Sequence, residues 1–228
     1  MNNQNLCRDA VTLTACLPFH EIRAPKDYIY YKVRVKGGLG GNAEQHITEQ
    51  RANAIKIVAN LLQVSIQHQH VPLYIVRFEG GDVADSIAGH AEAVVAIPAD
   101  MEQDFKDIII QGSCAVQAQY GVTDPDVEVL LDPAVWHGNV IDELSTRCIL
   151  ADINALPVGP LEMDDSKPGK ALISLTIGQL LFDQRASQFQ LFTVCRSRRQ
   201  DDLSLLITKV QQILEVSGAD VNISPCNS

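Results

Sequence analysis

Tyr28-Ile29-Tyr30-Tyr31-Lys32-Val33-Arg34-Val35, then Lys36 and the run Gly37-Gly38-Leu39-Gly40-Gly41, is the stretch that decides the fold class. Side chains alternate in character over residues 28–35. Successive strand residues point to opposite faces, so the run predicts a strand with one face on a core. The glycines end it, and a helix is predicted over residues 49–64, with Ile55, Val58, Leu61 and Leu62 at helical spacing. Toward the N-terminus, residues 10–17 also alternate and are expected to pair with residues 28–35 as a hairpin across residues 18–26.

Downstream the same grammar recurs. Strands are predicted at residues 73–78, 91–97 and 127–131, with a helix over 101–120 carrying Phe105, Ile108 and Ile109. The second half reads as helix over 136–156, then strands at 172–177 and 189–194. Asp201 or Asp202 is placed to cap a helix with the stripe Leu203, Leu206, Ile207, Val210, Ile213 and Leu214, which Gly218 ends before a strand at 221–223. Residues 98–121 and 196–218 each hold one helix between two strands, which reads as an internal duplication. The expected architecture is α+β, with two ferredoxin-like halves of the βαββαβ type and helices on one face of an antiparallel sheet. Residues 1–132, with the N-terminal hairpin, form the first half and 133–228 the second. Residues 158–170 stand out as a long mobile segment.

Composition sets outer limits. The chain has 228 residues, 46% hydrophobic and 20% charged, which suits a globular domain with a real core. Its 18 Lys+Arg against 28 Asp+Glu give a net charge of −10, a field that repels phosphate backbones and argues against nucleic acid as a partner. The cluster Arg196, Arg198 and Arg199 is too small to reverse it. No membrane span and no signal peptide are read, so a cytoplasmic address is expected. Cys7, Cys16, Cys114, Cys148, Cys195 and Cys226 lie far apart and are expected as reduced, mostly buried thiols.

Chemistry-bearing patterns are sparse. His68 and His70 are the only close histidines, with no acidic partner nearby in sequence, so two exposed imidazoles are favoured over a metal site. No nucleophile elbow occurs. Residues 37–41 could cradle an anion before the helix, but they lack the Gly-Lys-Ser/Thr of a phosphate loop, and a tight turn is the better reading. Asp164 and Asp165 are read as solvated.

Several segments, taken in order, resemble the cytosolic aminoacyl-histidine (Xaa-His) dipeptidases, which are dizinc metallopeptidases. These are Val35-Lys36-Gly37-Gly38-Leu39-Gly40-Gly41 with Arg51-Ala52-Asn53-Ala54-Ile55-Lys56, and Phe78-Glu79-Gly80-Gly81 with Ser86-Ile87-Ala88 and Glu92-Ala93. Ile153-Asn154-Ala155-Leu156-Pro157 and Val194-Cys195-Arg196-Ser197 complete the set. The resemblance implies a lid and dimerisation domain of two ferredoxin-like halves, with the zinc ligands of the full-length enzymes outside this chain and no cofactor within it. It also implies that Arg196 matches a substrate-carboxylate anchor. The family's substrate-binding histidine is replaced by Asn42, the asparagine and proline of its next strand by Asp85 and Ala88, and a later asparagine by Thr176. Asp85 is expected to compete for Arg196.

The reading that follows is a stand-alone, non-catalytic relative of the dipeptidase lid that forms a homodimer through edge strands or apolar helix faces. The alternatives are part of an active dipeptidase whose metal domain is supplied elsewhere as a partner, and a small-ligand sensor.

Overall fold

The strand at the centre of the sequence argument is an interior strand, one place in from the sheet edge. In the computed structural model, which describes residues 9–68 and 71–226 with His68 as backbone only, Tyr28–Lys36 lies between two antiparallel neighbours. In chain order the elements are β1 (Ala10–Pro18), β2 (Glu21–Arg23), β3 (Tyr28–Lys36), β4 (Gly41–Asn42), α1 (Ala43–His46) and α2 (Ala54–His68). There follow β5 (Tyr74–Gly80), β6 (Ser86–Ile87), β7 (Ala91–Pro98), α3 (Glu102–Tyr120), β8 (Glu128–Ala134), β9 (Asn139–Ile141) and α4 (Glu143–Ala155). The chain continues through β10 (Gly159–Met163), β11 (Ala171–Asp183), β12 (Gln188–Ser197), α5 (Gln200–Glu215) and β13 (Asp220–Pro225).

A nine-stranded antiparallel sheet runs β13-β1-β12-β11-β5-β7-β3-β8, with β10 on the free half of β11. Read as units, β3-α2-β5-β7-α3-β8 is one βαββαβ motif and β1-α4-β11-β12-α5-β13 is another. The α+β class and the helix-backed antiparallel sheet agree with the sequence reading. The N-terminal hairpin does not form. Strand β1 pairs with β12 and β13, leaving β3 flanked by β7 and β8. It is the first strand of the second unit, and the first unit runs between β1 and α4. Alternation fixes which face a strand buries and says nothing about its neighbour, which explains the error.

Other boundaries moved for local reasons. Helix α2 begins at Ala54, behind a short α1 and a 3-10 turn over Ile47–Glu49, where Gln50 takes a left-handed φ of 55°. Helix α4 begins at Glu143, because Asp142 caps it by accepting from the Ser145 amide at 2.7 Å. The expected capping role of Asp201 or Asp202 falls away, since Arg199 holds the N-cap position of α5 and both aspartates lie in its first turn. Residues 158–170, expected as a mobile segment, form the β10–β11 hairpin, closed by Asp164 and Lys170.

One apolar core joins both units, drawing Val33 and Val35 from β3, Ile55, Val58 and Leu62 from α2, Ile149 and Ile153 from α4, and Leu203 and Val210 from α5. The other face of the first unit is ionic: Lys32–Glu92, Arg34–Asp132 and Lys36–Glu128 pair across strands there.

Candidate functional site

Arg196 stands near the end of β12, on the face of the sheet away from the helices. Its register partners are Ala10 on β1 and Ser174 on β11. Thr176, two residues along β11 from Ser174, therefore lies on the same face, opposite Val194. Asp85 arrives from the other unit, on the connection between β5 and β7. Its carboxylate Oδ2 accepts from Arg196 Nη2 at 2.5 Å, and both side chains are only 15% exposed. Glu44 on α1 reaches Nη1 at 3.4 Å from a largely exposed position.

Two close approaches deliver Asp85. A Cβ on Gly178 of β11 would lie 1.9 Å from the Ala84 carbonyl oxygen, and one on Gly81 would lie 2.0 Å from the Gly178 carbonyl oxygen. Only glycine lets the two backbones touch here. Gly178 also coincides with the register shift of β11 against β12 between Ile177 and Gln179. The segment is further tied at Ala43, whose N–H donates to the Asp85 carbonyl at 3.2 Å.

The four residues singled out from the sequence therefore fare differently. Asp85 and Arg196 meet. Thr176 shares their face, 1% exposed, and its Oγ1 has no partner. Asn42 turns to a local task, capping α1 by accepting from the Gln45 amide at 3.3 Å. Arg196 Nε and Asp85 Oδ1 are likewise buried without a partner. Cys226 adds a sulfur 4.0 Å from Arg196 Nη2, and burial, then the Asp85 carboxylate, hold its thiol above the usual range. Beside this cluster a cleft of about 180 Å³ is lined by Asp9, Glu44, Lys170, Arg196 and Arg198.

The glycine run is a turn. Gly38 N–H donates to the Gly89 carbonyl at 3.2 Å and Leu39 N–H to Asp124 Oδ1 at 2.7 Å, so those amides are spent within the fold. Asp124, fully buried, also accepts from the Ala52 amide at 2.8 Å and clamps the turn to the start of α2. In the sequence Asp124 is simply the residue before Pro125. Its burial carries no local signal, whereas glycine inside a strand at Gly178 is a readable sign of close approach.

Among the described residues, no three His, Cys, Asp or Glu side chains converge to hold a metal ion, so zinc has no ligand set there. The pairing of His68 with His70 lies outside the described residues. Cys16, Cys114, Cys148 and Cys195 carry free thiols. Cys195 is fully buried and its pKa is pushed up to about 12, while Cys114 is exposed against expectation. Among the described residues no helix is long and apolar enough to cross a membrane.

Two βαββαβ units are thus fused edge to edge, with Arg196 on the face of the sheet away from the helices. Residues 33–121 match the family described as Peptidase dimerisation domain. It is similar to the cytosol non-specific dipeptidase of Escherichia coli (strain K12), with 20% identity over 213 residues covering 93% of this chain and 43% of that protein. The fold matches aminoacylhistidine dipeptidase from Vibrio alginolyticus with a TM-score of 0.88 at 21% identity, covering 94% of this chain and 43% of that one. The chain thus spans well under half the length of either protein.

Proposed function

We propose that this chain acts as a non-catalytic assembly domain that forms a homodimer through the outer surface of α2 and α3. The observation that carries the reading is a face without charge. From Ile108 to Tyr120, α3 has no charged residue, and Lys56 is the one Lys, Arg, Asp or Glu on α2. Lys56 is itself spent, donating to the carbonyls of Ile153, Asn154 and Leu156. For chains of net charge −10, this is where two copies can meet without like-charge repulsion.

The groove on that face, about 480 Å³, is lined by Asn60, Gln63, Gly112, Ala115, Gln119 and Asn154. Both helices fall within the residues matched to the dimerisation family. Edge strands serve less well, since β8 carries Pro133 and β13 carries Pro225, each lacking the N–H an added strand needs. Sedimentation equilibrium at micromolar concentration tests the reading. A dimer is expected, and a monomer across that range would sink it.

A second reading, as the lid of a longer metal-dependent dipeptidase of the cytoplasm, is supported by the names and lengths of the two similar proteins. Against it stands Asp85 on Arg196, whose carboxylate already holds the Nη2 arm that a substrate carboxylate would need. Dipeptide hydrolysis that appears only when the chain is combined with a separate metal-binding domain, and that a chelator abolishes, would decide for it.

A further inference from the structure

We propose that Asp85 is a built-in ligand, its carboxylate filling the Arg196 guanidinium in place of a diffusible carboxylate and latching residues 81–89 of the first unit onto β12 of the second. The inference goes beyond the oligomeric reading and does not depend on it.

The contact is a poor match for two ordinary structural partners. A guanidinium and a carboxylate at rest against each other normally form two parallel hydrogen bonds. Here there is one, Nη2 to Oδ2 at 2.5 Å, and the second member of each fork, Arg196 Nε and Asp85 Oδ1, is buried and unpartnered. Thr176 Oγ1 is a third orphan on the same face. An unmade hydrogen bond at a buried polar atom is costly, so three at one place describe a site built for more acceptor and donor capacity than Asp85 supplies.

The geometry explains why Asp85 cannot do better. Its backbone is pinned on both sides, by the Ala43 amide on its own carbonyl and by the backbone contact of Ala84 with Gly178. A tethered carboxylate held that way reaches one arm of the fork, whereas a free one can turn to meet both. The adjoining cleft gives a small anion a route, its walls carrying Arg198 and Lys170 beside Arg196 against the two carboxylates of Asp9 and Glu44. The occupant that fits is a small monocarboxylate of the size of the Asp85 head group, such as formate or acetate.

Chemical rescue tests the latch on the full chain. Wild type, Asp85→Ala, and Asp85→Ala combined with Arg196→Met are melted in rising sodium formate, with sodium chloride at matched ionic strength as reference. Formate is expected to raise the Tm of Asp85→Ala with the logarithm of its concentration above the dissociation constant, by about 4 °C at ten times that constant. Wild type and the double variant should follow chloride. Equal responses to formate and chloride in Asp85→Ala, an equal formate shift in wild type, or a shift that survives loss of Arg196 would each overturn the proposal. Should Asp85→Ala fail to fold, Asp85→Asn keeps the shape and loses the charge. Amide exchange over residues 82–89 should then quicken by at least about tenfold. Exchange unchanged from wild type would refute the latch.

Discussion

Asp152 on α4 is an acid held where ionisation is expensive. It is 6% exposed, and burial pushes its pKa up to about 6 despite a hydrogen bond from the Ser217 hydroxyl, which opposes the shift. The native state therefore binds this proton more tightly than the unfolded chain, whose carboxyl titrates near 3.9. Its contribution to stability is present in full below that value and is lost as pH rises through about 6. The amount is about 2–3 kcal/mol. Asp152→Asn should thus be more stable than wild type at pH 7 and lose that advantage by pH 4. Urea melts of both chains across that range measure it, and a constant difference between them would contradict the assignment. At this scale the sequence was partly readable. Arg196 and Asp85 were legible as a pair because both types announce themselves in the resemblance. Asp152 and Asp124 were not, since burial of an acid depends on which distant element packs over it.

Elements were legible where their apolar period was long and unbroken. The stripe of α5 appears in the core as Leu203, Leu206, Val210 and Leu214, and β3 appears with Tyr31, Val33 and Val35 inward. Pairing was not legible, because the partner of β1 is set by a crossover of more than a hundred residues, and any strand with one apolar face would fit either place. Gly178 is the element-scale position where a single atom matters most. Gly178→Ala puts a methyl group 1.9 Å from the Ala84 carbonyl oxygen, so the 82–89 segment must lift from β11. A loss of about 2–4 kcal/mol is expected, with amide exchange over residues 82–89 rising while α5 stays protected. Lys56 offers a second test. Lys56→Met removes the ammonium that satisfies three carbonyls at the end of α4, and a cost of about 2 kcal/mol is expected in denaturant melts. Burial pushes the Lys56 pKa down to about 8, so the native state holds this proton less tightly than the unfolded chain. The ammonium's burial penalty should therefore ease as pH rises from about 8 toward the ordinary lysine value of about 10.4.

At the scale of the whole molecule the strand order is palindromic. Within each unit the strands lie in the order fourth, first, third, second, and the two second strands, β5 and β11, meet at Leu180 and Gly80. The first helices of the two units, α2 and α4, pack beside each other along the same pseudo-two-fold. That internal junction uses up the second-strand edges and the flank of α2 facing α4, which leaves the outer α2–α3 surface as the uncharged ground for a second copy. Ala115 lies in its groove, exposed, and its side chain belongs to neither core nor ion pair. Ala115→Glu keeps helix propensity nearly intact, so the melting temperature of the dilute protein should move by less than about 2 °C. Placed at a contact between two copies related by a two-fold, the same change buries like charges opposite one another, and the dimer dissociation constant should rise by at least about tenfold. Leu205→Glu on α5, exposed on the second unit and away from that face, should leave association unchanged. Sedimentation of the three chains separates the cases: equal weakening by both substitutions would move the contact off α2 and α3, and weakening by Leu205→Glu alone would move it to α5.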